Sequence, residues 1–293
     1  MPDAARGHGL RTVLLTAVAM LAFAANSLLC RLALQHGGID PASFGSVRLV
    51  AGALMLGLIV RSRGRPAASP PRVDWLAAVM LFGYVAFFSF AYLSLPAGTG
   101  ALILFGAVQL TMFGVGLRSG SERFGTLSWI GFVLALVGLV YLVSPGIAAP
   151  PLPGAALMAV AGVAWGVYSL RGCGVADPLA ATARNFTRAV PLALALSLVF
   201  AASAHADGTG LALAVASGAL TSGLGYVVWY AALGRLGAMR AATVQLSVPL
   251  LAAFGGVLFL SEPITPRLAA ASVAILGGIA LVLGRKSQGS ARR

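Results

Sequence analysis

Charge is scarce in this sequence. Only 9% of its 293 residues are charged, about a third of the share in an ordinary soluble domain. Acidic residues number seven, histidines three and cysteines two, and each shortage removes a class of chemistry. Asp3, Asp40, Asp74, Glu122, Asp177, Asp207 and Glu262, like His8, His36 and His205, fall in polar segments or at the ends of long apolar runs. A protease or hydrolase working inside a membrane needs a buried Asp pair, a His beside a nucleophilic Ser, or a His-Glu metal motif, and none is present. The chain is therefore not expected to be an enzyme. Cys30 and Cys173 are isolated thiols in different halves of the chain, which points to neither a disulfide framework nor a metal site. No cofactor is expected.

What fills the sequence instead is apolar. Hydrophobic residues make up 59% of it, and the mean hydropathy is +0.94. Ten runs have the length of roughly 20 residues that crosses a bilayer: 12–34, 42–60, 75–95, 98–117, 126–143, 154–171, 179–202, 209–233, 239–260 and 267–284. Apolar residues occur all round these runs rather than along one stripe, and Gly is frequent, as membrane helices tolerate. The expected fold class is an all-α integral membrane protein of ten transmembrane helices, with the lipid bilayer as its solvent.

A net charge of +13 would suggest nucleic acid in a soluble protein, so the position of the charges decides its meaning. Fifteen Lys and Arg lie at the N-terminus, in alternate loops and in the C-terminal tail: Arg6, Arg11, Arg61, Arg63, Arg65, Arg72, Arg118, Arg123, Arg171, Arg235, Arg240, Arg285, Lys286, Arg292 and Arg293. The intervening loops hold only Arg267. The positive-inside rule then places both termini in the cytoplasm, in a bacterial inner membrane, and no nucleic-acid partner is expected. Arg6 and Arg11 before an apolar run ending near Ala22-Phe23-Ala24 also resemble a secretory signal. The run continues to Leu34, however, and cleavage would leave nine spans. The arginine- and proline-rich residues 61–73 and the proline-rich residues 144–153 read as linkers, the second dividing the chain.

The two halves repeat. At an offset of 140, Ser121-Glu122 falls on Ser261-Glu262, Gly83 on Gly223 and Gly138 on Gly278. Residues 1–148 and 149–293 would each hold five spans. Because five is odd, the second repeat enters the membrane from the opposite side, and inverted repeats of this kind are typical of carriers with a central site. A pore would carry a filter motif or a ring of like charges, which is not seen.

Polar and aromatic residues at mid-span depth recur at related positions. Phe23, Asn26 and Ser27 correspond to Trp165, Tyr168 and Ser169; Phe105 and Gln109 correspond to Gln245 and Pro249. Ser222, Tyr226 and Tyr230 share one helical face, and Tyr84 and Phe88 form a similar stripe. Any one of them could be a helix–helix packing contact. As a cluster drawn from both halves, they are expected to line an aqueous cavity, with Asn26, Tyr84, Gln109, Trp165, Tyr168, Tyr226 and Gln245 as candidate substrate contacts. Arg31, Arg48, Arg184 and Arg188 lie in or near spans but within about two or three turns of an end, so their stems are expected to snorkel to the headgroups. Arg48 and Arg184 follow the paired helix starts Asp40-Pro41 and Asp177-Pro178, and their matching favours a structural role.

Two stretches carry a family resemblance. GALILFGAVQLTMFGVGLRSGSERFGTLSWIGFVLALVGLVYLV and RAATVQLSVPLLAAFGGVLFLSEPITPRLAAASVAILGGIALVLG each run from a small-residue helix through an acidic turn to a Gly-containing closing helix. They resemble the EamA domain of the drug/metabolite transporter superfamily. The resemblance implies a ten-helix bundle of two inverted repeats around a central cavity, most often exporting small metabolites, amino acids prominent among them. Two departures stand out. The family's usual Trp in the first helix is kept as Trp165 but replaced by Phe23, and its mid-helix Pro is kept as Pro249 but replaced by Gln109, so the second half is expected to bend more.

Phosphate-sugar translocators share this architecture, but a phosphate site should hold basic residues deep in the cavity. The central cluster reads as aromatic and amide, which favours a zwitterion such as an amino acid, aromatic or of broad range. No buried carboxylate offers a proton or sodium site, so facilitated export is expected. The sequence carries no signal of oligomeric state.

Overall fold

The computed structural model describes residues 2–64, 74–118, 125–172, 175–233, 236 and 244–290. Most of the linker 61–73, the Ser121-Glu122 turn, Cys173, Arg235 and Arg240 lie outside the described residues. The rest is helical: α1 (Pro2–Gln35), α2 (Pro41–Ser62), α3 (Trp75–Ala91), α4 (Ala97–Arg118), α5 (Thr126–Val143), α6 (Leu152–Gly172) and α7 (Pro178–Val199). Then come α8, α9 (Ser247–Leu260) and α10 (Pro266–Ser290). α8 is compound: α-helical over Gly208–Ala216, π-helical over Ser217–Leu224 and α-helical again over Gly225–Leu233. Among the described residues the sole β pairing is one bridge, Ile39 to Ala206.

Aspartates start four of these helices. Asp40 Oδ1 accepts the N–H of Ala42 (3.1 Å) and Ser43 (3.0 Å), and Asp177 that of Ala180 (3.1 Å), as the Asp-Pro pairs predict. Asp74 and Asp207 do the same for Ala77 and Gly210. Burial pushes the Asp40 carboxyl up, but hydrogen bonds from Ser43, His205 and Ala42 outweigh it and hold the group below the usual carboxylate range.

Among the described residues seven helices are long and apolar enough to cross a membrane: α1, α2, α4, α5, α6, α8 and α10. The other three deviate for identifiable reasons. α3 stops at Ala91, short of the expected 95, because the chain turns over Tyr92–Leu95. α9 is interrupted at Leu246, where Pro249 lacks the N–H that would reach Gln245 and its ring crowds that carbonyl. α4, by contrast, runs unbroken through Gln109. α7 is long enough, but Thr182, Arg184, Asn185, Thr187 and Arg188 dilute its apolar character. The outward faces are hydrocarbon: Leu54, Leu58, Val137, Val140, Phe254, Phe259 and Val273 are exposed, a surface suited to lipid rather than water.

Glycine sets the closest helix approaches. In the pair α5 and α10, a Cβ on either Gly131 or Gly278 would run into the carbonyl oxygen of the other. Gly218, in the π segment of α8, lies against the Arg48 carbonyl and Ala51 of α2, so α2 and α8 meet backbone to backbone. One end of the bundle is laced together. Arg31 of α1 bonds Glu262 (3.1 Å) and the carbonyls of Tyr92 (2.9 Å) and Leu93 (3.1 Å). Glu262 Oε2 also accepts the N–H of Ala97 at the start of α4 (2.7 Å). Asp40 accepts the N–H of His205, and Phe90 packs on Phe200.

Candidate functional site

A cavity of about 490 Å³ lies among α1, α2, α3, α4, α6, α7 and α8. Its lining runs from Asn26, Ser27, Arg48 and Phe88 in the interior to Asp74, Arg171, Gly172 and Pro178 at the end that carries the chain termini. No lining residue belongs to the laced end, so the cavity opens one way. At its mouth Arg171 Nε donates to Asp74 Oδ2 at 2.6 Å. Burial raises the Asp74 carboxyl, but the bond from Arg171 and the Ala77 N–H prevail and hold it below the usual range.

All seven sequence candidates line this cavity. Asn26 is held by α8: its Oδ1 accepts the hydroxyls of Ser217 (2.6 Å) and Thr221 (3.3 Å). The π-helical turns matter here, because they bring Ser217, Thr221 and Ser222 to bear on α1 and α2 together. Asn26 Nδ2 in turn donates to the Tyr84 hydroxyl (3.3 Å). An aromatic wall stands beside this network. Trp165 packs on Tyr84 (ring centroids 4.7 Å), Tyr168 (5.3 Å) and Tyr226 (5.7 Å), and Phe23 packs on Tyr226 and Trp229. Tyr168 and Tyr230 both reach the Thr182 hydroxyl of α7. Gln109 and Gln245 face the cavity with no side-chain hydrogen bond to the described residues.

Arg48 corrects the sequence reading. It was expected to snorkel; its side chain is instead 1% exposed. Nη2 donates to the Tyr84 hydroxyl (3.1 Å), Nε to Ser222 Oγ (3.4 Å), and the guanidinium lies over the rings of Tyr84 (5.1 Å) and Phe88 (5.0 Å). Nη1 is buried with no hydrogen-bond partner. The reason snorkelling fails is geometric. Gly218 lets α8 press on the α2 backbone at this turn, and the stem has no path to the headgroups. Isolating an ion from water costs several kcal/mol. Each ring face returns about 1–2 kcal/mol at best, and the two oxygen acceptors are neutral.

Nor does Arg184 match Arg48. Arg48 is the eighth residue after Asp40, whereas Arg184 is the seventh after Asp177; the eighth is Asn185. A one-residue shift turns a helical side chain by about 100°. Arg184 and Arg188 are half-buried and line the cavity, with no carboxylate partner among the described residues. A register check on the two Asp-Pro starts would have exposed the mismatch. Arg31 does not snorkel either, because Glu262 and two carbonyls hold it. Trp229, Thr221 and Asn185 are further lining residues that sequence reasoning missed; nothing but their place in polar or aromatic stripes marks them.

The EamA-like transporter family pattern matches residues 152–284. An uncharacterized protein of Pseudomonas aeruginosa is 55% identical over 282 residues, covering 96% of this chain and 98% of that one. The chain belongs to the EamA-like transporter family. An uncharacterized transporter of Archaeoglobus fulgidus is 24% identical over 255 residues, 85% of this chain and 90% of its own length. A crystal structure described only as that of a protein superposes with a TM-score of 0.66 at 21% identity, covering 96% of this chain and 98% of the other, which speaks to the fold alone. As an EamA-like transporter, the chain is a multi-pass membrane protein that moves small molecules, and membership argues against an enzyme.

Proposed function

We propose that this EamA-like transporter is a ten-span carrier that exports small metabolites, amino acids foremost, by alternating access. The observation that carries the reading is the one-sided cavity, closed by the Arg31–Glu262 lacing and open toward the chain termini. That is the geometry of one state of a carrier, whereas a pore needs a continuous path.

The packing supports an inverted repeat of residues 1–148 and 149–293. α3 packs on α6 and α7 as α8 packs on α1 and α2, and α4 packs on α6 as α9 packs on α1. α2 meets α7, α4 meets α9 and α5 meets α10. A pseudo-twofold axis accounts for each pairing. The 15-to-1 loop asymmetry favours cytoplasmic termini in a bacterial inner membrane, so the cavity of this state faces inward.

Asn26, Tyr84, Gln109, Trp165, Tyr168, Tyr226 and Gln245 are the substrate contacts of this reading, with amides for polar groups and ring faces for an apolar side chain. The aromatic wall equally suits drugs or other apolar metabolites, which is the second reading. No acidic residue among the described ones lies at mid-depth, so substrate is taken to run down its own gradient. Counterflow of labelled amino acids in proteoliposomes tests the proposal. Trans-stimulation by unlabelled amino acid is expected, and flux without trans-stimulation overturns the carrier reading. Accumulation against the substrate gradient under an imposed pH or sodium gradient overturns the facilitated one.

A further inference from the structure

A buried cation with an unused face in an otherwise satisfied network asks for a ligand. Arg48 sits where the cavity ends, and its nearest polar company is Tyr84 and Ser222. A guanidinium has five N–H donors and stays protonated in proteins. Two are used at Nε and Nη2, while Nη1 is buried and unpartnered. No Asp or Glu side chain among the described residues bonds it. Acids are elsewhere: Asp74 is held by Arg171 at the mouth and Glu262 by Arg31 at the laced end.

We infer that Arg48 is the anchor for a carboxylate on the transported solute, and that this group, rather than an ammonium, is what the cavity requires. The inference rests on the cavity being the transport site. A carboxylate meeting Nη1 would gain a charge-assisted hydrogen bond and neutralise the buried guanidinium in one step. The Tyr84 hydroxyl accepts from both Asn26 Nδ2 and Arg48 Nη2, which leaves its own hydrogen to donate. A carboxylate at the Arg48 end could take that hydrogen too. The Tyr84 and Phe88 rings, with centroids 5.3 Å apart, lie side by side about 5 Å from the guanidinium carbon, so together with the two hydrogen bonds they orient the group before any ligand arrives.

Nothing equivalent awaits an ammonium. Among the described residues the interior offers it ring faces and amides but no carboxylate, so an amino group is tolerated and not demanded. Arg184 and Arg188, half-buried on the same lining, add positive potential along the entry route. The class that fits is a singly charged organic acid with an apolar body, amino acids included through their carboxylates. A dianionic phosphate calls for more than one cation at the point of contact, and the groups bonded to the Arg48 guanidinium are the neutral hydroxyls of Tyr84 and Ser222.

The test uses purified full-length protein and matched ligands, read by tryptophan fluorescence with counterflow in proteoliposomes as a second readout. The probes are 3-phenylpropionate against 3-phenylpropionamide, L-phenylalanine against L-phenylalaninamide, and benzyl phosphate. In the wild type each acid should bind at least about tenfold tighter than its amide. In Arg48→Gln the gap should collapse to about twofold or less, and Arg48→Lys should keep part of it. Equal affinity for acid and amide, a gap that survives Arg48→Gln, or benzyl phosphate as the tightest ligand each overturns the assignment. Should Arg48→Gln fail to fold, the wild-type acid and amide pairs still decide. Trp165→Ala separates the two readings. If it weakens binding of acids and amides alike while acid and amide remain equal, the cavity is the site and Arg48 is not its anchor; if no probe binds or exchanges, both readings fall.

Discussion

Arg31 Nε lies 3.1 Å from Glu262 Oε1, and Glu262 Oε2 takes the Ala97 N–H at 2.7 Å, so one carboxylate joins α1 to the start of α4. Ser261 makes this possible by ending α9 in the left-handed region (φ 55°), which lets the Glu262 N–H return to the Gly256 carbonyl. The acid that closes the family's sequence motif is a fastener at the end opposite the cavity mouth.

Loss of that fastener should be measurable. Glu262→Gln and Arg31→Gln should each lower stability by about 1–3 kcal/mol, because both side chains are mostly shielded from water and the bond is charge-assisted. The double variant should cost less than the sum of the singles. Thermal unfolding in detergent reads the cycle; strict additivity would mean that the pair does not act as a unit.

The orientation is tested by thiol labelling in a background with Cys30 and Cys173 replaced by Ser. Arg63→Cys should be protected from an impermeant reagent in intact cells, and Ala204→Cys, on the laced end, should react. Both positions are exposed, so access through the membrane alone decides the result. Labelling at residue 63 with protection at 204 would reverse the topology.

Cavity variants should impair transport more than folding. Trp165→Ala removes the ring that packs on Tyr84, Tyr168 and Tyr226, and is expected to raise the apparent KM about tenfold with little change in Tm. Gln245→Leu should weaken or redirect transport in the same way, because it removes an amide that lines the cavity with no side-chain hydrogen bond to the described residues. Unchanged kinetics across several amino acids would return both residues to packing roles.

Acid should destabilise the protein in part through Asp40. Its folded carboxyl is held below the ordinary value, so the stabilisation is complete above about pH 4 and is lost as pH falls through the folded value. Asp40→Ala should cost about 1–2 kcal/mol at neutral pH and flatten the fall below pH 4. Melting curves at pH 3 to 7 for both proteins check this; parallel profiles would remove Asp40 from the explanation.

Much of the molecule was legible before any coordinates. Hydropathy is a sum over residues, so the apolar runs could be read directly, and the Asp-Pro pairs marked α2 and α7 because capping is local. Pro249 predicted the interruption before α9, since a missing N–H acts on its own helix. Harder to read were α3 and α7. The first ends early in a turn that its sequence does not announce, and the second spends its polar residues on a cavity that a hydropathy sum counts against it.

The site divides in the same way. Asn26, Tyr84, Trp165, Tyr168 and Tyr226 could be picked out because polar and aromatic side chains are conspicuous in apolar runs. Their joining through Ser217 and Thr221 depended on a π-helical stretch of α8, which rotates a face in a manner that fixed spacing does not foresee.

Composition and local chemistry by themselves determined that this chain is helical and built for lipid, and where several helices begin, because each is a property of a residue and its near neighbours. Tertiary structure alone decided that Arg48 is sealed from water with Nη1 unpartnered, and that the cavity opens at one end. Burial and partnership depend on how α2, α3 and α8 rotate and approach one another, and that is settled by packing across the whole bundle.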